Sequence, residues 1–300
     1  MDNRNEVKAF LSSRRAKITP DEAGLVSSGR GRRVAGLRRG EVADLAGVSV
    51  EYYARLERGN LSGVSDSVLD ALARALQLDE AERAHLVDLA RGASAASRSR
   101  REPPNPQVRP SVARILELMT DIPAFVNNRR LDVMVANPLA QALYAPLFAE
   151  PAHPANHARF AFLDPRAHDF WIDWDRIADD TVAVLRTEAG RDPYDTALTH
   201  LVGELCTRSD AFRVRWASHD VRLHRTGLKH FHHPVVGVLH LDFESVPLAA
   251  DPGLTLTMLS AHAASPSADG LRMLASWAAT HQPTDALTSS RTVGGGFPGH

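Results

Sequence analysis

The stretch LRRGEVADLAGVSVEYYARLERG, residues 37–59, decides the fold of the first part of the chain. Gly47 lies in its middle, where glycine readily ends a helix in a left-handed backbone conformation. Ser49 is a favourable N-cap for a following helix that runs to about Arg58. The helix before the glycine has one apolar face, which is formed by Val42, Ala43 and Ala46. Two short helices joined by such a turn are typical of a helix-turn-helix.

The second helix of this motif is predicted to have an inner and an outer face. Tyr53 and Leu56 are three positions apart, so both are expected to pack against the first helix. The outer face begins at the helix N-terminus and carries Val50, Glu51, Tyr52 and Arg55. In a helix-turn-helix, these leading residues contact base edges in the major groove of DNA. Arg55 is predicted to bind guanine O6 and N7, Glu51 to accept from cytosine N4, and Tyr52 to contact a phosphate or a thymine methyl.

Arginines surround the motif, as contacts with DNA phosphates require. They are Arg30, Arg32, Arg33, Arg38, Arg39 and Arg58. The predicted DNA-binding residues are therefore Arg38, Arg39, Ser49, Val50, Glu51, Tyr52, Arg55, Arg58 and Asn60. The alternative is an αα-hairpin without a role in DNA binding, because glycine turns between apolar helix faces occur in such hairpins too.

Periodic apolar segments on both sides of the motif complete a first domain. Helices are predicted at 5–16, 66–78 and 80–92, so that residues 1–91 form an all-α five-helix DNA-binding bundle. Residues 92–107, GASAASRSRREPPNPQ, contain small, charged and proline residues that cannot build a core. This segment is predicted to be the linker between two domains.

The pattern after the linker predicts an α+β domain over residues 108–281, followed by a disordered tail at 282–300. Its predicted elements are a helix at 112–119, a hairpin of strands at 123–128 and 131–137, helices at 138–148, 154–191, 192–209 and 209–219, three strands within 221–263 and a closing helix from 265. These strands form a five-stranded antiparallel sheet with helices on one side, an arrangement that can enclose a pocket.

Aromatic and histidine side chains are the candidates for lining this pocket. They are Phe125, Trp171, Trp174, Phe212, Trp216, His219, Phe231 and His233. As a group on helices that face a sheet, the aromatic residues indicate a largely apolar ligand cavity. The alternative for each aromatic residue by itself is a place in the hydrophobic core.

A second group of histidines gives the alternative of a metal site on the sheet. His230 and His232 share one face of a predicted strand, and His240 lies on the next strand. Together with His233 and Asp242, they give the alternative of a DNA-tethered metal-dependent enzyme that uses this sheet. Their spacing matches no compact metal-ligand signature, and binding a polar headgroup or sensing pH in the pocket is the other interpretation.

No pattern in the sequence indicates catalysis. There is no Ser-His-Asp order, glycine-rich phosphate loop or paired-carboxylate motif. We therefore predict no enzyme activity, no catalytic residue, no bound metal and no cofactor other than a ligand in the pocket.

Composition and charge agree with a DNA-binding module joined to a second domain. Residues 1–101 carry a net charge of +4 and the remainder −5. The single cysteine, Cys206, excludes an internal disulfide and a cysteine-cluster zinc site. No apolar run is long enough to span a membrane, and the N-terminus lacks the apolar region of a secretory signal. These features predict a cytoplasmic protein at the nucleoid that has no membrane partner.

The sequence also resembles a known family. The segments AGVS and RLERG resemble the XRE (Cro-repressor-like) helix-turn-helix family. The whole of residues 37–59 resembles its subgroup with an MmyB-like ligand-binding domain. The likeness continues in NNRRLDVMVANPLAQALY, FLDPRAHDFWIDWD, RSDAFRVRWASHDVR, GLKHFHHPVVGVLHLDFE and SPSADGLRMLASW. It implies a PAS-like sensor domain and a fatty-acid-like ligand. Gly40 departs from the family pattern, which has glutamate there and starts the helix more strongly.

These observations predict a sequence-specific transcriptional regulator with a small, largely apolar ligand. Its partner is double-stranded DNA, which we expect it to bind as a homodimer, because one short helix reads too few base pairs for specificity in a genome. A third alternative is a protein–protein adaptor, whose DNA affinity would be weak and independent of sequence.

Overall fold

The computed structural model describes residues 3–25, 34–95, 107–149, 154–218 and 226–280. The first two of these ranges contain five helices, α1 Asn3–Lys17, α2 Arg39–Ala46, α3 Val50–Glu57, α4 Asp66–Ala75 and α5 Glu80–Ala95. Their apolar faces meet in one core, in which Phe10, Tyr53 and Leu72 are fully buried. The predicted five-helix bundle is thereby confirmed. Residues 27–33, SSGRGRR, which include the predicted phosphate-binding residues Arg30, Arg32 and Arg33, lie outside the described residues.

The turn between α2 and α3 has the predicted chemistry. Gly47 ends α2 with φ 66° and ψ 34°, a conformation that side chains with a Cβ adopt at a cost. The Ser49 hydroxyl accepts a hydrogen bond from the Tyr52 backbone N–H at 3.1 Å and so caps α3. Tyr53 and Leu56 point into the core and are fully buried. The outer face of α3 is therefore fixed by local sequence.

The last helix of the bundle is longer than the sequence predicts. We expected Gly92 to close it, but α5 continues to Ala95. Gly92 lies where the bundle closely approaches the second domain, since a Cβ at position 92 would lie 3.3 Å from Cγ of Pro193. Glycine is used here for close packing inside a helix. Most of the predicted linker, residues 96–106, lies outside the described part of the chain.

A mixed domain of helices and one sheet follows. Its described strands are β1 Ala124–Asn128, β2 Val133–Ala136, β3 Thr226–His233, β4 Gly237–Pro247 and β5 Leu254–Ser260. They form an antiparallel sheet in the order β2-β1-β5-β4-β3. The predicted five-stranded antiparallel sheet and its α+β fold class are confirmed. Residues 219–225, where the sequence begins the third strand, and the predicted tail lie outside the described residues.

The helices of this domain are shorter than the sequence predicts. They are α6 Pro110–Leu118, α7 Pro138–Leu143, α8 Ala145–Phe148, α9 His157–Leu163, α10 Arg166–Phe170, α11 Trp174–Arg191, α12 Thr196–Arg208, α13 Asp210–Ala217 and α14 Pro266–Thr280. The predicted helix 138–148 breaks at Tyr144, because Pro146 has no N–H to continue the helical hydrogen bonds. Pro165 breaks the predicted helix 154–191 in the same way, and a second break follows between Phe170 and Trp174, where Trp171 forms a bridge with Phe231 of β3. None of the described helices is long and apolar enough to cross a membrane.

The two faces of the sheet pack against different helices. Phe125, Phe231 and Leu241 lie on one face and share a large core with α7, α10 and α14. Val126 and Leu254 lie on the other face, beneath α6. This alternation follows from the period of two in each strand. Helix α11 covers one end of the first face of the sheet, and a cavity lies between this helix and the sheet.

Helix α11 also packs against the bundle through a buried ion pair. Arg186 of α11 is fully buried and donates hydrogen bonds to the carboxylate of Glu6 in α1 and to the backbone carbonyl of Trp216. Its guanidinium lies 4.1 Å from the centroid of the Trp216 ring. Gly190 contacts the buried ring of His85, and a Cβ at position 190 would lie 2.5 Å from that ring. The interface between the domains thus includes the buried Arg186 and Gly190 of α11, and Arg191 adds an ion pair with Asp88 of α5 at 3.3 Å.

We expect Gly59→Ala to destabilise the bundle more than Gly63→Ala. Both glycines have positive φ, 98° and 73°, so alanine costs about 1–2 kcal/mol at either position. At Gly59 the new Cβ would also lie 2.4 Å from the backbone carbonyl oxygen of Arg4, whereas nothing lies within 4 Å at Gly63. Such overpacking adds about 1–3 kcal/mol.

Urea unfolding of the full chain, followed by far-ultraviolet circular dichroism, measures this difference. Tryptophan fluorescence serves as the control, because all four tryptophans lie in the second domain. Equal midpoints for Gly59→Ala and Gly63→Ala would contradict the close packing of α1 against this turn.

Candidate DNA-binding surface and ligand cavity

The leading residues of α3 form an exposed surface on the bundle. Glu51 and Arg55 are exposed, Val50 is 42% exposed, and Tyr52 is half-buried. The Arg55 guanidinium lies 4.8 Å from the centroid of the Tyr52 ring, which holds the two side chains side by side. The structure therefore brings together the four residues that the sequence predicts as base contacts. Their contact with bases remains a prediction.

The predicted phosphate-binding residues lie around this surface. Arg38, Arg58 and Asn60 are exposed. Ser49 uses its hydroxyl oxygen as the cap of α3. Arg39 donates to the carboxylate of Glu57, although more than half of its side chain remains exposed. Arg39 is thus held in place before any DNA is bound.

Glu57 is a buried anchor of this surface that sequence reasoning missed. Its carboxylate is almost fully buried and accepts hydrogen bonds from Arg39 and, at 2.7 Å, from Nε of Arg15. Burial raises the pKa of Glu57, but the hydrogen bonds and charges of the two arginines outweigh it and hold the pKa below its usual value. Glu57 follows Leu56 on a short helix, and nothing in its local spacing distinguishes it from an exposed glutamate.

The second domain contains a cavity of about 180 Å³ between the first face of the sheet and α11. Its sheet side is lined by Phe125, Asn127, Lys229, Ser245, Pro247, Thr255 and Thr257. Its helix side is a stripe of α11 formed by Ile177, Asp180, Thr181, Val184, Thr187, Glu188 and Arg191, and Leu131, His157 and Trp171 close the ends. The spacing of this stripe is the three-and-four pattern of one helix face. The cavity is amphipathic, with apolar side chains beside charged and hydroxyl groups.

Two of the eight predicted ligand residues, Phe125 and Trp171, line this cavity. The other described ones lie elsewhere in the structure, and their contact with a ligand stays a prediction. Phe231 is fully buried in the sheet core, and Phe212 packs with α12 in a separate core. Trp174 donates its indole N–H to the carbonyl of Ala161. The aromatic residues fill the interior because burial of their large apolar area stabilises the fold wherever helices meet the sheet.

The remaining predicted ligand residues also have other places. Trp216 packs under the guanidinium of Arg186 at the interface between the domains. Burial lowers the pKa of His233, whose Nε2–H donates to the carbonyl of Ala142 while Nδ1 accepts from Val235. His233 therefore holds the turn after β3 and does not reach the cavity. His219 lies outside the described residues.

The histidines of the sheet do not converge on a metal site. The ring of His230 lies against that of His240, and its Nδ1 is 2.5 Å from the carboxylate of Asp173. Asp242 lies beside His262, and His232 is exposed. In the described part of the chain, no three His, Cys, Asp or Glu side chains are placed to hold a metal ion. The alternative of a metal-dependent enzyme has no support in this arrangement.

The cavity residues that sequence reasoning missed are the polar ones, above all Lys229, Asp180 and Glu188. Two signals in the sequence were available. Lys229 and Phe231 are two positions apart on a strand and therefore share its inward face. The polar residues of α11 recur on one face beside Ile177 and Val184, a pattern that resembles a solvated helix surface equally well.

Comparison with known protein families gives two matches. Residues 29–86 match the model of a helix-turn-helix domain. Residues 108–274, more than half of the chain, match the model of the MmyB-like transcription regulator ligand binding domain. The first match includes α2 and α3, and the second includes both sides of the cavity. No curated protein matches the sequence.

We expect Glu57→Gln to lower the free energy of unfolding of the bundle by about 1–3 kcal/mol at pH 7, since hydrogen bonds to a charged group are lost. Because the pKa of Glu57 is lowered in the folded protein, its contribution is complete above the pKa of an unfolded glutamate. The contribution disappears as the pH falls through the folded pKa.

Urea unfolding of the full chain between pH 7 and pH 3 measures this difference. The stabilities of the wild type and of Glu57→Gln should converge toward acid pH. Glu51→Gln on the exposed face of α3 is the matched control and should have little effect. A constant difference over the whole pH range would show that the charge of Glu57 is not responsible.

Proposed function

Because the chain belongs to the family of MmyB-like transcription regulators, we propose that it is a sequence-specific, ligand-responsive regulator of transcription. It reads double-stranded DNA with α3 and senses a small, largely apolar molecule in the second domain. The observation that carries the DNA-binding part is the exposed leading face of α3 on a fully packed bundle. Tyr53 and Leu56 of α3 already pack in the core of the bundle, so Val50, Glu51 and Arg55 are not needed for its packing.

The proposal includes the finer features that the sequence predicts. The protein binds DNA as a homodimer on two half-sites, in the manner of the XRE family, and acts at the nucleoid in the cytoplasm. The second domain is a PAS-like sensor, and the family resemblance makes a fatty-acid-like molecule one form of its ligand. An amphipathic cavity with Phe125, Trp171 and Ile177 on its apolar side supports a ligand with an apolar body. Extraction of the purified full chain with organic solvent, followed by mass spectrometry, tests whether such a molecule is bound.

We expect Arg55→Ala and Arg58→Ala to weaken DNA binding in different ways. Arg55 lies on the base-reading face, so its removal should cost about 1–3 kcal/mol at one base position and relax the preference there. Arg58 lies at the end of α3 and is assigned to phosphate, so its removal should weaken all sequences alike and reduce the salt dependence.

Selection of genomic fragments with the purified protein at two salt concentrations, followed by binding titrations with the selected site, measures both effects. Arg83→Ala, on the bundle but away from α3, is the control for nonspecific changes in charge. An unchanged affinity and footprint for Arg55→Ala would contradict the assignment of α3 as the reading helix.

Helix α11 provides the connection between the cavity and the DNA-binding bundle. One face of α11 lines the cavity through Asp180, Val184 and Glu188. Arg186 and Gly190 project from the opposite side into the bundle. A ligand that moves α11 therefore changes the fit of Arg186 and Gly190 against α1 and α5. A ligand that binds the two resulting arrangements with different affinities then shifts DNA binding.

This coupling is testable without knowing the ligand, because allosteric coupling is reciprocal. Binding of the selected DNA to the wild type should change amide hydrogen exchange in the cavity stripe of α11 by several-fold. In Glu6→Gln, which weakens the pair with Arg186, this response should fall toward zero while the protein still binds DNA. Glu82→Gln is the matched control, since Glu82 pairs with Arg14 inside the bundle at 2.6 Å. Equal responses in the wild type and Glu6→Gln would rule out this route.

A further inference from the structure

Lys229 is the charged side chain of the cavity that has no charged partner in contact. It projects from β3, and its ammonium lies 4.7 Å from the ring centroid of Phe243 and 5.4 Å from that of Trp171. Among the described residues, no hydrogen bond or ion pair joins it to another group. Burial lowers the pKa of Lys229 to about 8, with the nearby negative charge of Asp180 opposing that change. An ammonium held between two rings in a cavity can still donate three hydrogen bonds.

The acidic side chains of the cavity, in contrast, have arginine partners. Asp180 lies 3.9 Å from Arg176. Glu188 lies 2.5 Å from Arg191 and 3.6 Å from Arg129. A cationic ligand would have to compete with these arginines for either carboxylate. An anionic ligand meets a donor that is not yet used.

A second donor of the cavity lies next to Lys229. Trp171 is 3% exposed and lines the cavity, and its indole N–H has no hydrogen-bond partner among the described groups. A buried donor without an acceptor costs about 1–3 kcal/mol, so an acceptor on a ligand would recover this cost. Lys229 and Trp171 together form a site for an acceptor that carries negative charge.

The size of the cavity restricts the rest of the ligand. An engineered apolar cavity of about 150 Å³ holds benzene, so a cavity of about 180 Å³ holds one ring or a short chain with a polar group. The apolar side chains Phe125 and Ile177 lie on opposite walls of this space. A long acyl chain would have to leave most of its length outside this cavity.

We propose that the cavity binds a compact organic acid, whose carboxylate accepts hydrogen bonds from Lys229 and Trp171 while its short apolar body lies between the sheet and α11. The inference rests on the proposed sensor function and narrows its ligand to a chemical class. It places the acid against the helix that contacts the bundle, so the same ligand occupies the site from which DNA binding is controlled.

Isothermal titration of the full chain with matched pairs of probes tests the proposal. The acids are benzoate and phenylacetate, and their neutral counterparts of the same shape are benzamide and phenylacetamide. The wild type should bind the acids about tenfold to hundredfold more tightly than the amides, since charge-assisted hydrogen bonds are the stronger ones. Hexadecanoate, which carries the same carboxylate on a long chain, should bind less tightly than either acid.

Variants then assign the effect to the two donors. Lys229→Met keeps the length of the side chain and should abolish the preference for acids over amides. Trp171→Phe keeps an aromatic ring, removes the N–H donor together with one of the two fused rings, and should reduce the preference by several-fold. Lys8→Met, on the exposed side of α1, removes a lysine of the same charge and should change neither affinity.

The outcomes separate this inference from the proposed function. Equal binding of acids and amides, or an acid preference that survives Lys229→Met, overturns the inference and leaves the sensor function standing. Tighter binding of hexadecanoate than of the short acids overturns the restriction in size and supports a fatty-acid-like ligand. If none of the probes binds, the inference fails, and the solvent-extraction experiment decides the sensor function separately.

Discussion

The contact on which the arrangement of the protein depends is the pair between Arg186 and Glu6. A guanidinium that loses all contact with water is stable only if its charge and its donors are satisfied by the protein. Here the counter-charge is the carboxylate of α1 in the bundle, and the carbonyl and ring of Trp216 in the second domain provide a hydrogen-bond acceptor and a cation–π contact. Separation of the domains would leave the arginine without its counter-charge. The two domains therefore do not behave as independent units on a flexible linker.

Helix α11 relates this contact to function, because its three faces line the cavity, pack in the second domain's core and contact the bundle. The cavity stripe, the buried apolar residues Val182, Leu185 and Ala189, and the pair Arg186 and Gly190 recur at helical spacing around one axis. The faces of α11 that pack against other elements cannot deform gradually, since their neighbours are close-packed. Movement of α11 by a ligand must therefore be accommodated at the bundle interface as well.

Sequence reasoning captured the parts of the structure that local chemistry determines. The helix-turn-helix follows from Gly47, from the cap at Ser49 and from apolar spacing within some twenty residues. The strands follow from a period of two, and the order of elements was predicted correctly apart from the breaks at Pro146 and Pro165 and a third break between α10 and α11. Both proline breaks were visible in the sequence, because proline restricts its predecessor and removes a donor.

The site could be predicted only in part, because its decisive contacts join residues distant in sequence. Arg186 pairs with Glu6 across 180 positions, and Glu57 meets Arg15 across 42. Composition identifies an aromatic residue as large and apolar, but not whether it only packs in a core, as Phe231 and Trp174 do, or also lines a cavity, as Trp171 does. That choice depends on where helices leave the sheet uncovered, which no single segment determines.

The polarity of the cavity adds a last constraint on regulation. A ligand changes an equilibrium only by its difference in affinity for the two states. Apolar contacts are lost when a wall moves away by a fraction of an ångström to an ångström, and hydrogen bonds weaken steeply with distance and angle. Since Lys229 lies on the sheet side, Trp171 at one end of the cavity and the α11 stripe opposite the sheet, a ligand held by its polar end has a fixed position from which its body contacts α11. A polar anchor on the rigid wall and an apolar body on the wall that contacts the bundle is the arrangement in which binding energy becomes a preference between two positions of one helix.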